Sequence, residues 1–81
     1  MDSNSIKQQV KKIISQVLEV SIDNVETDLE IGDLPEWDSL HHLMLIKELE
    51  NSFSIKFDQY DLAECEDVND LISLISEMQN R

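Results

Sequence analysis

The hydroxyl of Ser39 is the side-chain group with the clearest chemical use. It lies in the segment EWDSL, residues 36–40, between two stretches with apolar periodicity. A helix is expected to begin at Ser39, where backbone N–H groups lack partners and the helix dipole is positive. That setting favours anions, so a phosphate ester on this hydroxyl would be stabilised. Asp and Ser are also preferred N-cap residues, so helix capping alone could account for Asp38 and Ser39 at these positions. Modification of Ser39 therefore needs support from the rest of the chain.

Other reactive side chains do not form a catalytic or metal site. His41 and His42 are adjacent, so on a helix they diverge by about 100°, whereas a metal-binding pair favours spacing of four residues. Both histidines follow Ser39 within three residues on one helix, and no glycine-rich elbow surrounds it, so no Ser-His-Asp or Cys-His arrangement is predicted. Cys65 is the only cysteine, which excludes an internal disulfide. It is expected to be a small buried hydrophobe with no reactive role.

The acidic stretch before Ser39 does not match the pattern of a calcium-binding loop. Counted from Asp28, the sixth position is Asp33 where glycine is required, and the twelfth is Ser39 where glutamate is required. Both key positions fail, so an EF-hand is rejected and no metal is predicted.

Composition limits the possible functions. The 81 residues, expected to form one domain (residues 1–81), carry 18 acidic and 6 basic side chains. This balance argues against nucleic-acid binding, which needs a cationic face. Residues 19–38 contain eight acids and residues 58–70 contain six, with no lysine or arginine in either. Such surfaces are either solvated faces or docking surfaces for basic partner enzymes. Charge repulsion favours a monomer. No signal or membrane-spanning segment is predicted, so a cytoplasmic location is expected.

The apolar periodicity predicts an all-α fold. A first helix is expected over about residues 3–19, capped by Asp2 or Ser3, and a second over about residues 39–52. A short helix is expected over 58–64, and a last helix capped by Asp67. The long connection 20–38 carries apolar residues throughout and is expected to fold back over the bundle. The residues expected to do so are Val20, Ile22, Val25, Leu29, Ile31 and Leu34. Three main helices and one short helix should share one core.

The second helix carries two apolar faces. The core stripe is predicted to comprise His42, Leu45, Ile46, Leu49 and Phe53. A different face of the helix carries Leu40, Leu43 and Met44, together with Lys47. This face leaves more apolar surface than the core requires, which suggests a contact patch. His42 is expected to close the end of the bundle near Ser39, and its protonation to loosen that end at mildly acidic pH.

In this ordered frame the sequence resembles the acyl carrier protein family. The resemblance covers about residues 6–78 and rests on Asp38-Ser39-Leu40 at the start of the second helix, on the apolar positions of that helix, and on the long acidic loop before it. It implies an acyl-carrier-like bundle with 4′-phosphopantetheine on Ser39, transferred from coenzyme A by a phosphopantetheinyl transferase. The chain would then be a non-catalytic, stand-alone phosphoprotein that carries acyl or aminoacyl groups as thioesters between loading and transferring enzymes.

The resemblance also implies roles for neighbouring residues. Asp38 and Leu40 would help the transferase to place the serine, and Leu43, Met44 and Glu48 would contribute to partner recognition. Trp37 is interpreted as an anchor of the loop on the bundle, or alternatively as a neighbour of the prosthetic arm. Residues that would line an acyl cavity are Ile46, Phe57, Leu62, Cys65 and Leu71.

Departures from the family pattern concern the second helix. Carriers of fatty-acid biosynthesis typically have acids where this chain has His41 and Met44, and an apolar residue where it has Lys47. A dedicated biosynthetic pathway is therefore the leading interpretation. The alternatives are the general carrier of fatty-acid synthesis and an unmodified acidic helical protein–protein interaction module.

Overall fold

Four α-helices form the chain, as seen in a computed structural model that describes residues 3–80, with side chains described for residues 4–80. The helices are α1 (Ser3–Leu18), α2 (Ser39–Phe53), α3 (Gln59–Ala63) and α4 (Val68–Gln79). The predicted cap at Asp2 lies outside the described residues, and Ser3 is already helical. The all-α prediction with three main helices and one short helix is confirmed.

The core lies between α1, α2 and α4, with α1 packed against both of the others. The predicted stripe of α1 is buried except Val17, which is half-buried. In α2 the buried residues are Leu45, Ile46, Leu49 and Phe53, and in α4 they are Val68, Leu71 and Ile75. His42 lies on the predicted stripe of α2 but is only half-buried. Full burial of each large aliphatic side chain contributes about 1.5–3 kcal/mol, so these stripes orient the helices.

The loop between α1 and α2 is ordered by packing and by backbone hydrogen bonds. Val25 and Trp37 are buried, and Val20, Leu29, Ile31 and Leu34 pack against the core. Ile22 contradicts the sequence prediction, because it is 39% exposed. It lies in a short 3₁₀ turn, Ile22–Asn24, in which no residue is buried. That turn is tied to Ser21, whose hydroxyl accepts the Asp23 N–H, so its direction follows local hydrogen bonding.

The same loop is attached to the start of α4. The carbonyl oxygens of Thr27 and Leu29 accept the N–H groups of Asn69 at 2.9 Å and Val68 at 3.0 Å, and Ile31 donates to the Glu66 carbonyl at 2.9 Å. Helix N-termini leave several N–H groups without intrahelical acceptors. The loop supplies two of those acceptors for α4. These hydrogen bonds hold the loop before Ser39 against the N-terminus of α4.

The N-termini of α3 and α4 are each capped by an aspartate. Asp58 and Asp67 accept the N–H groups three residues ahead, those of Asp61 and Asp70, each at 2.9 Å, as predicted for Asp67. The helix α3 contains no buried residue, and it is shorter than the predicted span 58–64. It is positioned by the partly buried Leu62 and by its flanking residues Phe57 and Cys65, which pack against the core.

Candidate functional site at the start of the second helix

Asp38 is the N-cap of α2. Its backbone is extended (φ −96°, ψ −175°), and its Oδ1 accepts the backbone N–H of His41 at 2.9 Å. The same oxygen lies 2.8 Å from Nδ1 of the His41 ring. The pKa of the Asp38 carboxyl is below its ordinary value of 3.8, first because of the His41 backbone hydrogen bond and second because of the bond to the ring. Asp38 is therefore a charged cap at neutral pH.

This arrangement shows which residue of the Asp-Ser pair caps the helix. The capping role belongs to Asp38, so Ser39 is the first residue of α2 and not its cap. Ser39 is exposed, and no hydrogen bond within residues 3–80 engages its hydroxyl. A hydroxyl at this position can accept a covalent group without displacing packed atoms. The positive end of the helix dipole would stabilise a phosphate ester there.

Trp37 anchors the segment directly before the cap. The side chain is 2% exposed, and its indole Nε1–H donates to Nδ1 of His42 at 3.1 Å. The backbone N–H of Trp37 donates to the Leu34 carbonyl at 2.9 Å. The anchoring role predicted for Trp37 is thus seen in the structure. Its hydrogen bond to His42 was not predicted. The two residues are only five positions apart, so the contact could have been considered from the sequence.

An apolar face flanks Ser39 on the outer side of α2. Leu40, Leu43 and Met44 are 64%, 68% and 50% exposed. The three side chains on which the predicted contact patch depends are therefore free of the core. An open groove of about 390 Å³ lies on this face, lined by Val17, Leu43, Met44, Lys47 and Glu48. We call these five residues together with Leu40 the outer face of α2. Five of the six belong to α2, and Val17 is the neighbouring residue of α1.

Val17 is the member of the outer face that the sequence did not indicate. Its register assigned it to the core stripe of α1, but it is half-buried and lines the groove. Val17 is next to the last residue of α1, and the residue after it, Leu18, is buried. Nearness to the helix end therefore does not explain its partial exposure, and no signal in the sequence indicated it.

The side chains expected to line an acyl cavity lie elsewhere. Ile46 and Leu71 are buried, and Phe57, Leu62 and Cys65 pack against the core from the α3 side. The groove of the outer face includes none of them. Shelter for an acyl chain at these residues stays a prediction.

Cys65 is half-buried and unsuited to nucleophilic chemistry. Its thiol donates to the Asp61 carbonyl at 3.5 Å. Burial raises the pKa of the thiol to about 11, with further contributions from the carboxylates of Asp70, Asp61, Glu64 and Asp67. The reactive thiolate is therefore disfavoured.

Among the residues described, no three or more His, Cys, Asp or Glu side chains are grouped so that they could hold a metal ion. None of the described helices combines the length and apolarity needed to cross a membrane.

The described residues thus form a small helical bundle in which an exposed serine directly follows an aspartate cap. A model of the family described as "Phosphopantetheine attachment site" matches residues 8–75. The chain belongs to this family. A search of curated proteins gives no match.

A solved structure supports the same class. The chain is similar to a holo acyl carrier protein from Geobacter metallireducens, with 30% sequence identity and a TM-score of 0.79. The match covers 88% of this chain and 82% of that one. Family and structure together support covalently bound 4′-phosphopantetheine as the cofactor. Domains of this class are in general non-catalytic and interact with the enzymes that modify them and handle their acyl groups.

Proposed function

We propose that this chain carries acyl or aminoacyl groups on a 4′-phosphopantetheine arm attached to Ser39, within a dedicated biosynthetic pathway. The observation that carries the proposal is the exposed hydroxyl at the first residue of α2, which makes no hydrogen bond within residues 3–80. When bound, 4′-phosphopantetheine supplies a terminal thiol that forms thioesters with the carried group. The chain's own residues present the hydroxyl, orient it and offer a face to partner enzymes.

Presentation of the hydroxyl depends on the residues on either side of Ser39. Asp38 ends the loop and fixes the first turn of α2 through the N–H of His41. Trp37 keeps the preceding backbone against the bundle. Because neither side chain covers the hydroxyl, a transferase can approach it from solvent. Leu40, next in the chain and exposed, is within the area that an approaching transferase would cover.

Partner recognition is assigned to the outer face of α2. Its exposed apolar side chains offer hydrophobic contact, and Lys47 and Glu48 place one charge of each sign at the groove. Some partner enzymes bind acidic residues of α2 with a row of arginines and lysines. Such a partner finds fewer acidic residues on this α2, where His41 and Met44 occupy two of the positions and Lys47 adds a positive charge. This difference supports a dedicated pathway over the general synthase of fatty acids.

The attachment is tested by intact mass. Unmodified protein is incubated with coenzyme A, magnesium and a broad-specificity phosphopantetheinyl transferase. The expected result is a gain of one phosphopantetheine on the wild type and on Ser52→Ala, and no gain on Ser39→Ala. Ser52 is a matched control because it is an exposed serine of the same helix. No gain on the wild type, or an equal gain on Ser39→Ala, would reject the attachment and favour an unmodified interaction module.

The outer face is tested with the same transferase as the probe. Leu43→Ser and Met44→Ser should raise KM by about three- to tenfold with kcat nearly unchanged, because they remove contact area and not the reacting group. Tyr60→Ser is the control, since Tyr60 is an exposed aromatic residue on α3. An equal effect of all three substitutions would contradict the assignment. Elongation of acyl chains on this carrier by fatty-acid synthase enzymes, as fast as on their own carrier, would reject the dedicated pathway.

A further inference from the structure

The hydrogen bond between Trp37 and His42 constrains the protonation state of the histidine. The indole Nε1–H can only donate, so Nδ1 of His42 must be an unprotonated acceptor, with the ring proton on Nε2. The ring centroids are 6.2 Å apart, and the planes are inclined by 34°. A protonated His42 carries hydrogens on both nitrogens and cannot accept this bond. The bond therefore exists only with neutral His42.

The surroundings of His42 favour that neutral form. The pKa of His42 lies below its ordinary value of 6.5, and burial is the cause. The ionisable side chains of the same turn, Asp38 and His41, bond to each other. Glu36, on the loop side, is exposed. No charged group from the described parts of α1, α4 or the loop adds to or opposes the effect of burial.

Loss of the bond has a direct structural consequence. Trp37 is buried at 2% exposure, so its N–H would be left without an acceptor and without water. An unpaired buried donor costs free energy, which can be relieved by moving the indole outward. Trp37 is two residues before Ser39 and one before the cap of α2. A displacement of Trp37 therefore moves the segment that presents the Ser39 hydroxyl.

We propose that neutral His42 is a positioning residue for Ser39: it anchors Trp37 through Nδ1, and uptake of one proton by His42 releases the segment before α2. The anchoring is a property of the unmodified protein. Its effect on phosphopantetheine transfer rests on the proposed function of Ser39. His42 acts through Trp37 and is not assigned a catalytic role.

The anchoring is tested by NMR on the full, unmodified chain. Trp37 is the only tryptophan, so its indole Nε1–H gives one assignable signal. Between about pH 7.5 and 5 the signal should shift and lose protection from solvent exchange, with the same midpoint as the His42 ring. His42→Gln offers a non-titrating amide oxygen as acceptor, so its indole signal should stay protected over the whole range. His41→Gln is the matched control and should behave as the wild type.

Two outcomes would overturn the anchoring. One is an indole signal that does not change while the His42 ring titrates. The other is the same titration of the indole in His42→Gln as in the wild type. Trp37→Phe, which keeps an aromatic ring but has no N–H, gives a second check. In this variant the pKa of His42 should rise toward its ordinary value, because the bond that requires a neutral ring has been removed.

The positioning role is tested by the rate of modification with the broad-specificity transferase. The rate for the wild type is divided by that for His42→Gln at each pH, so that the transferase's own pH dependence cancels. At the pH where NMR shows the His42 ring half-protonated, this ratio should have fallen to about half of its value at high pH, since only the neutral fraction is competent. The ratio of the rate for His41→Gln to that for the double variant His41→Gln/His42→Gln should fall equally. A constant ratio would reject the positioning role.

Failure of the two proposals can be distinguished. If no phosphopantetheine is added at any pH, attachment to Ser39 is rejected. The indole titration then decides the Trp37–His42 pair by itself.

Discussion

Oε2 of Glu50 accepts the backbone N–H of Phe57 at 2.8 Å, and this bond crosses the turn between α2 and α3. The backbone carbonyl of the same glutamate accepts the N–H groups of Ser54 and, at 3.1 Å, of Ile55. One residue in the last turn of α2 thus fixes the chain reversal with both its side chain and its main chain. Ile55 and Phe57 of this segment also pack against the core, although neither is fully buried.

Removing the Glu50 carboxylate should therefore destabilise the turn. We expect Glu50→Ala to lower the free energy of unfolding by about 1–2 kcal/mol, since it leaves a partly buried N–H without an acceptor. Glu50→Gln keeps an acceptor oxygen and should cost less than half as much. Urea denaturation measures both, and the neighbouring exposed Glu48→Ala is the control. Equal losses for Ala and Gln at position 50 would show that the bond to Phe57 contributes little.

Ser54 ends α2 in the left-handed region, with φ 54°. Most residues with a side chain are strained there, whereas glycine is not. We expect Ser54→Gly to raise the free energy of unfolding by about 0.5–1 kcal/mol, the relief of strain being partly offset by the greater freedom of glycine in the unfolded chain. Ser52→Gly, two residues earlier and helical, should lower it by about 0.5 kcal/mol. Stabilisation by both substitutions, or by neither, would contradict the assignment of strain to position 54.

Stability should depend on pH through His42. Its pKa is lowered by burial from the ordinary 6.5, so the unfolded chain binds the proton more readily than the folded chain. The stabilising contribution of neutral His42 to the free energy of unfolding is therefore complete above about pH 6.5 and is lost as the pH falls through the folded-state pKa. The urea midpoint of the wild type should decrease relative to that of His42→Gln between about pH 7.5 and 5. Parallel pH curves for the two proteins would disprove this, whatever the effect of the other charges.

The thiol of Cys65 should be slow to alkylate. Its pKa of about 11, against an ordinary 9.0, follows mainly from burial. At pH 8 this leaves about a hundredfold less thiolate, and the higher nucleophilicity of a more basic thiolate restores about tenfold, so a net slowing of about tenfold is expected. The measurement is the rate of reaction with iodoacetamide, in buffer and in urea. A rate in buffer equal to that of the unfolded chain would show that the thiol is not protected.

Local patterns predicted much of the fold and of the candidate site. The apolar period identified the core stripes of α1, α2 and α4, because a helix that must bury one face repeats its apolar residues every three or four positions. Asp67 was identifiable as a cap because capping needs only the residue and the next turn. Ser39 could be placed at a helix start for the same reason. Its family resemblance came from the order of these local features along the chain.

Contacts between distant or turned segments could not be predicted in the same way. The apolar residues of the loop suggested that it folds back, but not that Ile22 stays exposed, because a Ser21 cap directs that turn. Nor did the sequence indicate that the loop carbonyls of Thr27 and Leu29 accept the first N–H groups of α4. Val17 was assigned to the core by its register, but in the structure it lines the groove of the outer face.

The sequence by itself determined which faces of the helices are apolar, where each helix can begin, and that one serine follows an aspartate at such a beginning. These properties depend on residues within one or two turns of each other. Only the tertiary structure decided that Asp38 is the cap, which leaves Ser39 exposed, and that the ring of His42 meets the indole of Trp37. The reason is geometric: a hydrogen bond depends on distances of a few tenths of an ångström and on direction. Those are fixed by packing of the whole bundle and not by the spacing of letters.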